Sequence, residues 1–127
     1  MNWLLFISGL FAVFTTVGHF IVGGKRFLKP MLQAPFDEVS KKVMHCVFHY
    51  ISVFLVISTI ALLASGFCLI PKTGDNLLVK FIALNYAFFA LTQIVIALTS
   101  KLHMGIFKLF QWIFFILIAV FALLGVS

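Results

Sequence analysis

The chain has 127 residues, of which 64% are hydrophobic and only 9% charged, and it carries 17 phenylalanines and a formal net charge of +6. A water-soluble domain of this length has too little polar surface to cover so much apolar side chain, so the composition excludes an ordinary soluble enzyme and directs attention to the membrane. The positive charges flank apolar runs and form no basic domain of their own, which argues against nucleic acid as a partner.

Apolar stretches of 18 or more residues mark membrane spans, because about 20 helical residues at about 1.5 Å each cross a hydrocarbon core of about 30 Å. Four such spans are expected. The first, residues 3–22, ends at GGKRFLK, where Gly23 and Gly24 suit a helix C-terminus and Lys25, Arg26 and Lys29 form a charged collar. Residues 23–42 are then expected to form a basic interfacial loop, partly structured, with Phe27, Met31 and Phe36 facing the acyl boundary. Pro30 and Pro35 should break any long helix there. The second span, residues 43–69, belongs to a helix that starts earlier, at Pro35, Asp37 and Glu38, whose carboxylates complement the helix dipole. It stops at IPKTGDN, where Pro71, Gly74, Asp75 and Asn76 are turn residues. Spans at 77–99 and 105–126 follow. The last two connections are short, so neighbouring helices should run antiparallel. The expected fold class is all-α: one polytopic membrane domain built as an antiparallel bundle of four transmembrane helices. No basic n-region and no small-residue cleavage motif accompany the first span, so it is expected to stay in the protein.

Orientation follows from the cationic residues, which are retained on the cytoplasmic side. Lys25, Arg26, Lys29, Lys41, Lys42, Lys101 and Lys108 fall on one side, and Lys72 and Lys80 on the other. Both termini are therefore expected outside and the basic loops in the cytoplasm, in a bacterial inner membrane or its equivalent, with anionic lipid headgroups as partners.

The same topology gathers all four histidines, His19, His45, His49 and His103, at the basic face. His19 lies six residues before Lys25 and His49 seven after Lys42, so both sit about 9–10 Å inward of the collar and level with each other. A level pair on facing helices could supply two axial imidazoles to haem. His45 and His49, four apart, share a helix face, and together with His19 and His103 they could hold a transition metal. Against coordination stands a structural role, with the imidazoles satisfied by nearby hydroxyl and carbonyl groups. Cys46 points about 100° away from His45 around the helix, and no CxxCH motif is present.

Two helical stripes are expected to be buried: Ser8, Ala12, Thr15, His19 and Gly23 on the first helix, and His45, His49, Ser52, Thr59 and Gly66 on the second. Asn85, Thr92, Gln93 and Gln111 are candidates for bonds between helices. No Asp, Glu, Lys or Arg lies mid-span, so proton-coupled transport lacks its usual chemistry, and no catalytic residue is assigned. The functional expectation is a small membrane protein whose histidine cluster binds a metal or haem. The alternatives are a non-enzymatic accessory or structural subunit of a larger membrane complex, for which the aromatic runs FQWIFF and YAFFAL offer surfaces, or a small oligomeric transporter.

Overall fold

The computed structural model describes residues 1–71 and 76–127, and these residues are helical or in turns, with no strand among them. The elements in chain order are α1 (Trp3–Gly18), a π-helical segment (His19–Leu28), α2 (Lys29–Gln33), α3 (Glu38–Gly66), α4 (Leu77–Thr99), α5 (Gly105–Lys108) and α6 (Trp112–Leu124). Three helical rods are long and apolar enough to cross a membrane: Trp3–Gln33, Glu38–Gly66 and Leu77–Thr99. The expected turn residues Gly74 and Asp75, and the charge at Lys72, lie outside the described residues.

The first helix does not end at Gly23–Gly24 as its glycines and charges suggest. It runs on through the π segment and α2 to Gln33. In the wider π turn each N–H reaches back five residues, and the Lys29 N–H bonds the Gly24 carbonyl in this way. Pro30 then falls in the first turn of α2, where a missing N–H and a fixed φ cost little. Residues 23–42 are thus largely helical, and the chain reverses within 34–37. Asp37 starts α3 by accepting the Ser40 N–H at 2.8 Å and the Ser40 hydroxyl at 2.9 Å.

The fourth expected span is also corrected. It is divided into the four residues of α5, a turn at 109–111 and the 13 residues of α6. At 1.5 Å per residue α6 is only about 20 Å long, short of a hydrocarbon core of about 30 Å. Two bonds hold the break in place. The Trp112 indole N–H donates to the Ile106 carbonyl at 3.0 Å, and Gln93 Nε2 on α4 donates to Gln111 Oε1 at 2.7 Å.

At the opposite end three elements are tied together. The Asn2 N–H donates to the Gly66 carbonyl at 2.8 Å, and Asn2 Nδ2 donates to the Gly125 carbonyl at 2.7 Å. The start of α1 therefore meets the ends of α3 and α6. There α3 is closed by Cys68 in the left-handed region (φ 58°), with the Cys68 N–H bonding the Ser65 carbonyl at 3.0 Å and the Leu69 N–H the Ala64 carbonyl at 2.8 Å.

α1 packs against α3 and α6, α4 packs against α6, and α3 touches α4 only lightly. Small residues and hydroxyls make the close contacts, as they do between helices in membranes. Ser8 Oγ donates to the Ile118 carbonyl at 2.8 Å, and the Thr16 and Thr59 hydroxyls meet at 3.0 Å. Ala12, Leu55, Leu62, Ile118 and Ala122 are buried, and Tyr86 is the largest fully buried side chain, packed edge-on or tilted against Phe54, Phe89 and Phe115. The outer faces stay apolar, with Phe14, Ile57, Ile60 and Leu91 exposed.

The expected stripes are borne out in part. Ser8, Ala12 and Gly23, and Ser52, Thr59 and Gly66, are buried. His45 and His49 are not, because beyond Ser52 the face of α3 meets only the π segment and α2, in which Gly23 alone is buried. Asn85 is half-buried and bonds its own helix at the Phe81 carbonyl, and Thr92 is exposed. Of the amides expected to bond between helices, Gln93 and Gln111 do so, with each other.

Candidate functional site: a lateral cleft at the basic end

The four histidines do not converge. His19, half-buried at the α1–π junction, places Nε2 2.8 Å from Ser52 Oγ on α3. Ser52 Oγ donates its single proton to the Phe48 carbonyl at 3.0 Å, so the imidazole is the donor and carries its proton on Nε2. That assignment leaves Nδ1 as an acceptor. The His19 ring also stacks on Phe48, with centroids 4.1 Å apart and planes at 19°. His45 and His49 instead face each other, Nε2 to Nε2, at 3.1 Å on the outer flank of α3. His103 is exposed in the turn before α5.

Among the described residues no three His, Cys, Asp or Glu side chains lie close enough to hold a metal ion together. The level pair His19 and His49 does not share a cleft either. One Nε2 is engaged by Ser52 and the other by His45, and Phe48 covers a face of the His19 ring. Equal spacing from the charged residues along the two helices says nothing about which partner each ring meets, and here the two rings meet different ones.

What the structure builds around His19 is a cleft of about 370 Å³. One wall is α1 and the π segment, with Phe14, Gly18, His19 and Gly23; the second is α3, with Phe48 and Ile51; the third is the broken fourth helix, with Phe110, Gln111, Phe114 and Phe115. A second apolar hollow of about 310 Å³ shares His19, Phe27, Phe48 and Ile51 with this cleft and reaches Met31, Met44 and Val47.

Two irregularities of backbone make this space. The turn at 109–111 removes the helical turn that would otherwise fill the gap beside α1. The π segment widens the helix opposite, and Gly23 keeps its inner face bare. A Cβ there would sit 3.4 Å from the Phe48 ring and 3.8 Å from His19 Nδ1. Irregular backbone at membrane depth persists where it lines a cavity or is buried in protein, and π turns occur frequently at functional sites.

The cleft is therefore aromatic on three sides, with polar groups only from His19, Thr15 and Gln111. The Thr15 hydroxyl is already committed to the Phe11 carbonyl of its own helix at 2.8 Å, and Gln111 Oε1 to Gln93. His19 Nδ1 and the Gln111 amide nitrogen are thus the groups with hydrogen-bonding capacity to offer an occupant. The sequence singled out His19, Gln111 and the aromatic run that holds Phe110, Phe114 and Phe115, the last as an outer surface for partners, but not Phe14 or Phe48, which nothing local distinguishes from the other phenylalanines among the 17. Comparison with protein-family models, curated proteins and solved structures finds no match for this chain.

Proposed function

We propose that this chain is an integral membrane protein that binds a flat, membrane-soluble amphiphile in the cleft beside His19. The observation that carries the reading is the facing of two backbone irregularities, the π segment and the 109–111 break, across an aromatic-walled space with one available imidazole. Discontinuous helices mark binding sites in membrane proteins for the same reason: they trade continuous backbone for a cavity. Aromatic walls suit a ring, and a hydroxyl donating to His19 Nδ1 would fix its orientation; a quinol has both features.

The membrane reading is supported by three apolar rods of crossing length and by large apolar side chains on their outer faces. In it, α5, the turn and α6 together make the fourth crossing of an antiparallel four-helix bundle. The positive-inside bias places the basic end and the cleft toward the cytoplasm, against anionic headgroups, in a membrane of the bacterial inner type, with both termini outside. Haem with His19 and His49 as axial ligands draws no support from the geometry, since their nitrogens address different partners.

Titration of the purified protein in lipid nanodiscs with a short-chain quinol, followed by Trp112 fluorescence, tests the assignment. Saturable binding should weaken about tenfold in His19→Ala, equivalent to about 1.4 kcal/mol, and vanish in Gly23→Leu, whose side chain would enter the cleft. Non-saturable partitioning, identical in wild type and both variants, would overturn it.

A further inference from the structure

We infer that His45 and His49 form a two-imidazole chelate for a single divalent transition-metal ion on the outer flank of α3. The site is independent of the cleft, which neither residue lines.

The argument starts from spacing and ends on bite distance. Residues four apart on a helix project to the same side one turn apart, and here the two Nε2 atoms approach to 3.1 Å. Imidazole nitrogens bind zinc at about 2.0–2.1 Å, so two of them on one ion lie about 3.3 Å apart at a tetrahedral angle and about 2.9 Å apart at a right angle. The observed separation falls between these values. It suits tetrahedral zinc or square-planar copper with very little side-chain motion.

In the metal-free protein this contact is a hydrogen bond in which one ring donates its Nε2 proton and the other accepts. On binding, the donor ring shifts its proton to Nδ1. Both Nε2 lone pairs then face the ion, and no net proton is lost. Water completes the shell, since the rings lie on the open side of the helix and His49 is exposed.

The charged neighbours on these turns permit a cation. Lys41, one turn before His45, is held 2.7 Å from Glu38 Oε1, and Asp37 lies beyond. Lys42 is exposed three residues before His45. Nitrogen donors of this type select borderline ions and follow the order that places copper(II) highest, so calcium and magnesium should not compete.

The test uses full-length protein in nanodiscs and copper(II) chloride alone. Wild type should take up one copper at this site, with an electron paramagnetic resonance spectrum showing coupling to two imidazole nitrogens. His45→Ala and His49→Ala should each weaken binding at least about tenfold and reduce the coupling to one imidazole, while His103→Ala changes neither. Both altered side chains are on the open flank, and circular dichroism verifies that the helices persist. Copper binding of unchanged affinity in either His45→Ala or His49→Ala, or no copper bound by wild type, overturns the inference. Quinol binding in the cleft should be the same in both variants, so the two sites stand or fall separately.

Discussion

The Tyr86 hydroxyl of α4 meets the Ser58 hydroxyl of α3 at 2.7 Å inside the apolar interior, and Ser58 passes its own proton to the Leu55 carbonyl at 3.2 Å. Tyr86 is therefore the donor to Ser58. α3 and α4 touch only lightly, and beside this pair the Phe54 ring of α3 packs against Tyr86 and Phe89 of α4.

Tyr86→Phe keeps the ring contacts with Phe54, Phe89 and Phe115 and removes only the hydroxyl. A hydrogen bond between helices in a membrane contributes about 0.6 kcal/mol on average and up to about 1.7, so a loss of about 1 kcal/mol is expected. Tyr86→Ala, which also empties the aromatic cluster, should cost about 3–5 kcal/mol. Reversible unfolding from mild detergent into dodecyl sulfate measures both; a Tyr86→Phe protein as stable as wild type would show that the hydroxyl pair contributes nothing.

Gly66 lies where α3 crosses the start of α1. A Cβ there would stand 2.7 Å from the Phe6 nitrogen and 2.8 Å from its Cα, and backbone has no rotamer by which to move aside. Gly66→Ala should therefore lower stability by roughly 1–3 kcal/mol and weaken the Asn2 contact with the Gly66 carbonyl. Gly18→Ala, with nothing within 4 Å of the added methyl, is the control and should cost nothing in the same unfolding experiment.

Asp37 carries a pH dependence whose sign follows from its bonds. The Ser40 N–H, and then the Ser40 hydroxyl, favour the carboxylate and hold its pKa below the ordinary value of 3.8. The folded-state pKa is depressed, so the stabilisation of the first turn of α3 is complete above about pH 4 and is lost as the pH falls through the lower folded value. The protection of the Ser40 amide against exchange, measured relative to its intrinsic rate at each pH, should fall in acid in the wild type. Asp37→Asn should remove most of that acid dependence, because its side chain does not titrate.

The two cysteines report orientation. Cys46 and Cys68 are both exposed, and they sit 22 residues apart near opposite ends of α3, about 33 Å along an ideal helix. Under the positive-inside arrangement a membrane-impermeant maleimide added to intact cells should label Cys68 and spare Cys46. Cys68→Ser should abolish labelling until the membrane is opened. Labelling of Cys46 from outside would invert the arrangement.

Composition and hydropathy alone were enough to identify the all-helical class and to place four apolar stretches, three of which fall in helices of crossing length, since both depend on residue type summed along the chain. The Asp37 start of α3 was legible too, because a cap is local; that Gln93 and Gln111 bond between helices was expected of each amide, but that they bond each other was not. What the tertiary structure alone decided is where the helices are irregular and which way the histidines face. The continuation past Gly23–Gly24 depends on π turns that carry the helix to Pro30, and the break at 109–111 depends on Trp112 reaching Ile106 and Gln111 reaching α4. Neither has a signature in hydropathy. Likewise spacing from the charged residues predicts His19 and His49 at one level, but the packing of α1 against α3 turns one to Ser52 and leaves the other with His45. Depth is additive along a helix axis, whereas azimuth is set by the neighbouring helix.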